Sequence, residues 1–419
     1  MDVEDTPDAA DLHHTLIDDL VERELIISAP VEAAFRAVRR EIFLPDLPPE
    51  KVYENRAIPT KVDESERLIS SSSQPSAMAI MLEQLDLQPG HNVLEIGAGT
   101  GYNAALMAHV VGEQGRVTTV DIDDDLAESA RTHLAAAGFE RVQVVCGDGM
   151  FGYAENAPYD RIMLTVAGWD VPPEWLAQLK PDGLLVLPLS LNGPQLSIAF
   201  ERRDGRLFSR STQSCGFMPV RGTRSEPVHE IHIGDGPQIT LMRVSEAQSQ
   251  ETDPAVLEGW LRGASADLAT GIELSAYELL LKWPLRVVLD EPQFVSLEVR
   301  ADAVAEDLMP DLLPPFHDGS MGILAGSGLA LLAVPADAIP PESEEPFAQP
   351  YPLHIHSYGP DKTVAERLLG YLREWDGAGR PGSEGASVWT LPVEESPGSC
   401  GADAVVTRRW HHFCIRWIA

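Results

Sequence analysis

The sequence predicts an α/β fold, a doubly wound parallel sheet, followed by a C-terminal α+β domain. Three observations carry this reading. Short apolar strands alternate with helical runs between Asn92 and Leu189, a glycine-rich turn closes the first of those strands, and the alternation stops after Leu189. A length of 419 residues suits two or three domains at roughly 100 to 200 residues each.

The elements follow in order. Asp11 to Leu44 read as helices, with Val31, Phe35 and Val38 near the helical period and a stop at Pro45. Gln74 to Leu85 is a short helical run closed by Gln88-Pro89-Gly90. From Asn92 the segments NVLEIG, GYNAALMAHVV, RVTTVD, DDLAESARTHLAAAG and VQVVCGD alternate strand with helix. The strand DRIMLTV, the proline-started helix PPEWLAQLK and the strand GLLVLPL continue the pattern, and LSIAFER with Leu207 to Val220 reads as an antiparallel pair. Beyond Gly222 the strands EIHIG, QITLMRV, RVVLD, FVSLEVRA, LHIHSYG and AVVTRRWHHFCIRW mix with two helices. The clearer helix is Lys362 to Trp375, where Val364, Leu368, Leu372 and Trp375 share one face. Residues 1–222 are therefore expected to form the first domain and residues 223–419 the second.

Charge narrows the partners. The chain carries 31 Lys+Arg against 65 Asp+Glu, a net charge of −34, so a polyanion meets a repelling average field and nucleic acid is not expected as a partner. Between Arg300 and Lys362 there is no Lys or Arg, while Asp302, Glu306, Asp307, Glu344 and Glu345 recur; this is a solvated acidic face or a strip that docks a basic peptide. Four cysteines, Cys146, Cys215, Cys400 and Cys414, without CxxC spacing, predict a reducing cytoplasm. The acidic amino terminus lacks the positive region of a secretory signal. The longest apolar run, Met321 to Pro335, falls short of the ~20 residues of a bilayer span, so no membrane segment is expected.

The chemistry concentrates at strand ends. Glu95-Ile96-Gly97-Ala98-Gly99-Thr100-Gly101 joins a strand to a helix, where glycines admit a close ligand and the helix amino end offers free N–H groups. The next strand ends in Asp121, whose carboxylate can accept from both hydroxyls of a ribose, and the third in Gly147-Asp148-Gly149. Tyr102 stands where a dinucleotide fingerprint has its last glycine, which points away from NAD to a nucleoside without phosphates. For Asp148, holding an adenine amino group and stabilising its own turn are both open readings.

With these motifs go Glu41-Ile-Phe-Leu-Pro45, Ser70-Ser-Ser-Ser-Gln-Pro75, Tyr159-Asp-Arg-Ile162, Leu179-Lys-Pro-Asp-Gly183 and Gly216-Phe-Met-Pro219. In this order they resemble the protein L-isoaspartyl (D-aspartyl) O-methyltransferase family over about the first 222 residues. The resemblance implies a Rossmann-like class I methyltransferase sheet and S-adenosylmethionine as cofactor. It places Ser73, with Ser71, at the reacting centre, and lines the cofactor site with Gly97, Ala98, Gly99, Thr100, Gly101, Asp121, Ile122, Asp148 and Gly149. Ser71 stands where Thr is usual and Met78 where His is common, departures that bear on substrate preference.

An Asp carboxylate, with an ordinary pKa of ~3.9, is ionised at neutral pH, so its methylation needs positioning and exclusion of water, without a general base. Ser73 is assigned to orient the carboxylate. Methylation turns the poor leaving group of a carboxylate into a methoxy group that departs as methanol, and the following backbone amide nitrogen then closes a succinimide. From isoaspartate this route repairs proteins; from aspartate it installs an aspartimide. A subgroup of the family with a long C-terminal extension modifies ribosomally made peptides such as lanthipeptides and graspetides. Because this chain continues for about 200 residues past the family motifs, a dedicated precursor peptide is the expected substrate, with general isoaspartate repair, or peptide binding without catalysis, as alternatives. A zinc site can be drawn from His354, His356, His411, His412, Cys400 and Cys414, but the ligand spacing is wrong for one and no metal is expected. TRRWHHFCIRW is the one basic, aromatic-rich patch, available for packing or for peptide contact.

Overall fold

A computed structural model describes residues 8–63, 68–225, 229–234, 238–242, 246–300, 312–313, 319–338 and 349–417. The chain divides into two compact units. One draws on the described residues of Met1–Ser190, Gln195–Ser225 and Ser387–Ile418, the other on those of Leu191–Pro194 and Glu226–Ala386. The single boundary expected at Gly222 lies close to the crossing after Ser225, but the chain also enters the second unit briefly at Leu191–Pro194 and returns to the first near Ser387. The acidic residues Asp302, Glu306, Asp307, Glu344 and Glu345 lie outside the described residues.

The first unit is built on a ten-stranded sheet. Its parallel part is β3 (Asn92–Ile96), β4 (Arg116–Asp121), β5 (Gln143–Cys146), β6 (Tyr159–Leu164) and β7 (Leu179–Ser190), in the order β5-β4-β3-β6-β7. Then β8 (Gln195–Arg203) and β9 (Arg206–Cys215) add antiparallel strands. Strand order reverses between β3 and β6, and a crevice opens at the carboxyl ends of such a pair. The helix α5 (Tyr102–Val111) follows β3 and is buried nearly all round, because α2 (Ala29–Ala37), itself packed on α1 (Ala9–Glu22), covers the side it turns away from the sheet. That double burial explains why its sequence lacks a polar stripe. Beyond these, α3 (Pro49–Val52), the hairpin β1 (Ile58–Val62) and β2 (Leu68–Ser72), α4 (Pro75–Leu85), α6 (Asp124–Ala136) and α7 (Pro173–Gln178) complete the first part of the unit.

The second unit holds a seven-stranded sheet in the order β10-β11-β13-β14-β15-β16-β12, with antiparallel neighbours throughout. These strands are β10 (Ile231–Ile233), β11 (Ile239–Met242), β12 (Ala266–Ser275), β13 (Phe294–Val299), β14 (Gly319–Ala325), β15 (Gly328–Ala333) and β16 (Pro350–Tyr358). The apolar run Met321 to Pro335 is the β14–β15 hairpin, buried on both faces: Ile323, Ala330 and Leu332 join one core, Leu324, Leu329 and Leu331 the other. Of the helices α8 (Glu246–Glu251), α9 (Pro254–Leu261), α10 (Trp283–Asp290) and α11 (Thr363–Gly377), the last buries Val364, Leu368, Leu372 and Trp375 as its periodicity predicts. RVVLD, expected as a strand, is the end of α10; its two valines sit on a helical face with Trp283, and tertiary burial overrides their β-propensity.

The C-terminal run also departs from expectation. AVVTRRWHHFCIRW is two strands, β18 (Ala404–Thr407) and β19 (His411–Trp417), joined by a turn in which Arg408 N donates to His411 O at 2.8 Å. With β17 (Ala386–Pro392) they extend the first unit's sheet beyond β9. Among the described residues no helix is long and apolar enough to cross a membrane.

Candidate functional site

An open cleft enclosing about 790 Å³, its mouth included, lies at the carboxyl ends of β3, β4 and β6. Gly97, Gly99 and Gly101 turn the chain from β3 into α5 with φ of 104°, 51° and 88°, a region that favours glycine. Space reinforces conformation at Gly97, where a Cβ would stand 2.5 Å from Thr165 Oγ1. The Thr165 hydroxyl donates to Gly97 O at 2.6 Å and so fastens β6 to the turn. Asp121 ends β4 and is buried; its Oδ2 accepts from Gly99 N at 2.9 Å and its Oδ1 from Asp123 N at 3.2 Å. Burial raises its pKa, and the Gly99 N–H opposes that shift. Ile96, Val120, Ile122 and Leu126 supply apolar walls. An apolar slot with one fixed carboxylate and a glycine-lined floor fits a nucleoside without phosphates.

The serine segment is sorted by strand alternation. Ser70 and Ser72 are buried in β2, and Ser71 and Ser73 alternate with them, half-buried at the cleft. Ser70 Oγ accepts from Thr60 Oγ1 at 2.8 Å. Among the described residues the hydroxyls of Ser71 and Ser73 make no hydrogen bond, which leaves them for a ligand. Beneath them lies Arg40, fully buried. Its guanidinium donates to Val52 O at 2.8 Å, Ser73 O at 3.0 Å and Ser72 Oγ at 3.3 Å, with longer bonds to Glu54 O, Arg56 O and Ser72 O. Burial depresses its pKa to about 10, so it stays charged at neutral pH. Over the mouth, Lys61 bonds Asp125 at 2.6 Å and Asp123 at 3.5 Å, and Arg221 bonds Asp123 at 2.6 Å.

Glu95 lies behind the glycine turn, fully buried, accepting from Thr119 Oγ1 at 2.6 Å and Asn103 Nδ2 at 2.8 Å. Burial pushes its pKa up to about 7 despite both bonds. A carboxyl raised above its unfolded value favours folding while protonated, and that contribution is lost as pH rises through about 7. Glu95→Gln is therefore expected to match the parent near pH 4.5 and to exceed it at pH 8 by on the order of 3 kcal/mol, read from urea unfolding at the two pH values. Equal stability at pH 8 would show that Glu95 is not held against its charge.

The model of the protein-L-isoaspartate(D-aspartate) O-methyltransferase family matches residues 11–225. The chain belongs to this family. It is 40% identical over 216 residues to a protein-L-isoaspartate O-methyltransferase of Hyperthermus butylicus, covering 49% of this chain and 87% of that protein. It is 38% identical over 200 residues to protein-L-isoaspartate O-methyltransferase 2 of Archaeoglobus fulgidus, covering 48% and 89%. A solved protein-L-isoaspartate O-methyltransferase aligns with 90% of this chain and 96% of its own at 25% identity and a TM-score of 0.49. Apart from Leu191–Pro194, the second unit lies beyond the residues the family model matches.

Ser71, Ser73, Gly97, Ala98, Gly99, Thr100, Asp121, Ile122 and Gly149 all come together at the cleft, and Gly101 caps α5 just behind it. Asp148 is placed differently. Its Oδ1 accepts from Met150 N at 3.0 Å and its Oδ2 from Thr223 N and Oγ1, both at 2.9 Å, so its carboxylate serves the turn and anchors the segment after Gly222. Sequence reasoning did not single out Thr165, Arg221 or Arg40. The first lies at the end of a parallel strand, where such residues are worth inspecting; nothing local marks Arg40, whose acceptors are spread from Val52 to Ser73. Among the described residues no group of three His, Cys, Asp or Glu side chains could hold a metal ion. His354 instead meets Asp267 at 2.8 Å, and His412 meets Thr407 Oγ1 at 2.9 Å.

Proposed function

We propose that this enzyme methylates the free carboxylate of isoaspartyl residues in proteins. The observation that carries the reading is the pairing of a nucleoside slot with two unbonded serine hydroxyls, in a chain whose family is defined by that reaction. S-adenosylmethionine is the cofactor; when bound it supplies the electrophilic methyl carbon. Gly97, Gly99 and Thr100 would receive it along the turn, and the Asp121 carboxylate would accept from its ribose hydroxyls. The substrate carboxylate arrives ionised, so Ser73 Oγ donates to one oxygen and leaves the other free to attack. Ser71 is placed for a second contact to the substrate. Arg40 fixes the end of the serine segment through the Ser72 and Ser73 carbonyls and the Ser72 hydroxyl it holds, and the Lys61 and Arg221 ion pairs brace the mouth against water. The ester then loses methanol as the next backbone amide nitrogen closes a succinimide, whose hydrolysis returns aspartate.

Modification of an aspartate in a dedicated precursor peptide is the second reading, favoured only by the additional unit beyond the family match. Twin peptides differing in Asp or isoAsp decide by mass spectrometry: the first reading expects a mass gain on the isoAsp twin alone, and methylation of the Asp twin would reverse the assignment. Ser73→Ala is expected to lower kcat/KM about 10- to 100-fold, the effect of one hydrogen bond to a charged group. We place the enzyme in a reducing cytoplasm, a location supported by the four free thiols.

A further inference from the structure

Three segments that wall the cleft continue into one cluster outside it. Gly149 leads to Phe151, which is 43% exposed. Val166 leads to Trp169 through Ala167, whose N–H donates to Met218 O at 2.7 Å. Val220 leads to Arg224, whose guanidinium lies 4.5 Å from the Phe151 ring centroid and whose carbonyl accepts from Trp169 Nε1 at 3.0 Å. The fourth component comes from beyond the family's matched residues. Trp410, in the β18–β19 turn, stacks on Trp169 with centroids 5.5 Å apart and planes 27° apart. Buried Asp170 fixes that turn by accepting from Trp410 N at 2.7 Å and His411 Nδ1 at 2.9 Å.

Charge is distributed unevenly over this cluster. Arg224 is paired with Glu174 at 2.7 Å, and Asp170 is consumed by the turn. Arg409 is exposed, lies 5.2 Å from the centroid of Trp410, and has no carboxylate partner among the described residues. A chain of net charge −34 thus presents an unpaired guanidinium, shelved on an indole, in a turn packed through Trp410 on the loops that continue from its cleft. We propose that this surface reads the residues flanking the methylated group and selects an acidic segment of the substrate, Arg409 pairing with its carboxylate and the indoles with its apolar stems. The proposal rests on the reading above that the substrate is a peptide chain.

The test uses the full chain and two isoAsp peptides that differ only in flanking Glu or Lys residues. KM for the Glu-flanked peptide is expected to lie about tenfold below that of its twin, and Arg409→Ala to erase the difference without changing kcat, with Arg409→Lys restoring part of it. A purely structural role for Arg409 would move both peptides equally. Intrinsic tryptophan fluorescence, titrated with each peptide in the presence of S-adenosylhomocysteine, separates the two claims. If neither peptide is methylated but the Glu-flanked one binds tighter and Arg409→Ala abolishes that preference, the reaction is misassigned and the surface stands. Equal affinity for both flanks, or a preference that Arg409→Ala leaves intact, overturns the surface.

Discussion

Arg40→Met is expected to unfold the enzyme at a urea concentration lower by about 3 kcal/mol or more of stability, and to remove activity even where the protein remains folded. The guanidinium is fully buried, and its partners are carbonyl oxygens from Val52, Glu54, Arg56, Ser72 and Ser73 together with the Ser72 hydroxyl. These come from the end of α3 with the segment after it and from the end of β2 with Ser73 beyond it, so one side chain holds two stretches of backbone in register. Methionine fills much of the volume and leaves the acceptors unbonded, at a cost of ~1–3 kcal/mol for each left without water. Arg40→Lys should recover little, because a single ammonium cannot span acceptors set around a planar fork. An Arg40→Met protein within 1 kcal/mol of the parent, as an order of magnitude, and with normal kcat would remove Arg40 from the account.

Gly97→Ala is expected to weaken S-adenosylmethionine binding about 100-fold or more, measured by calorimetry, with a loss of about 1–3 kcal/mol in stability. Two independent effects act. The backbone sits at φ 104°, where an L side chain is strained, and the new methyl would meet Thr165 Oγ1 at 2.5 Å and Val166 Cγ1 at 3.2 Å. Relief requires Thr165 to swing away and release its 2.6 Å bond to Gly97 O, which loosens the end of β6 where it borders the cleft. Gly216→Ala is the matched control. No atom lies within 4 Å of a Cβ at that site and its φ is not positive, so affinity should stay within twofold, about 0.4 kcal/mol. Undiminished affinity in the Gly97→Ala protein would mean that the cofactor does not approach this turn.

The parallel part of the sheet was readable from the sequence because short apolar strand runs alternate there with longer helical runs, and because the glycine turn announces the strand end that matters. Asp121 was readable for the same reason, as the last residue of the neighbouring strand. The second unit was less so. Its β14–β15 hairpin is buried on both faces, so no alternation survives in GSMGILA or GLALLA, and α10 places β-branched valines where a helix needs apolar bulk. Asp148 shows the limit for a single polar residue: its bond to Met150 N is local, but its anchoring of Thr223, far along the chain, is not visible from its neighbours. Arg40 shows it more sharply, since a buried cation looks like any surface arginine until its acceptors are assembled around it.

The return of β17, β18 and β19 to the first unit's sheet makes the second unit an insertion within a catalytic fold. During synthesis β9 therefore emerges with its outer edge bare and waits for about 170 residues to be made before its neighbour arrives. An uncapped edge is the part of a sheet most prone to capture a strand from another chain. The insert consequently governs more than its own folding: its rate of collapse sets how long the nascent enzyme remains open to mispairing on the ribosome.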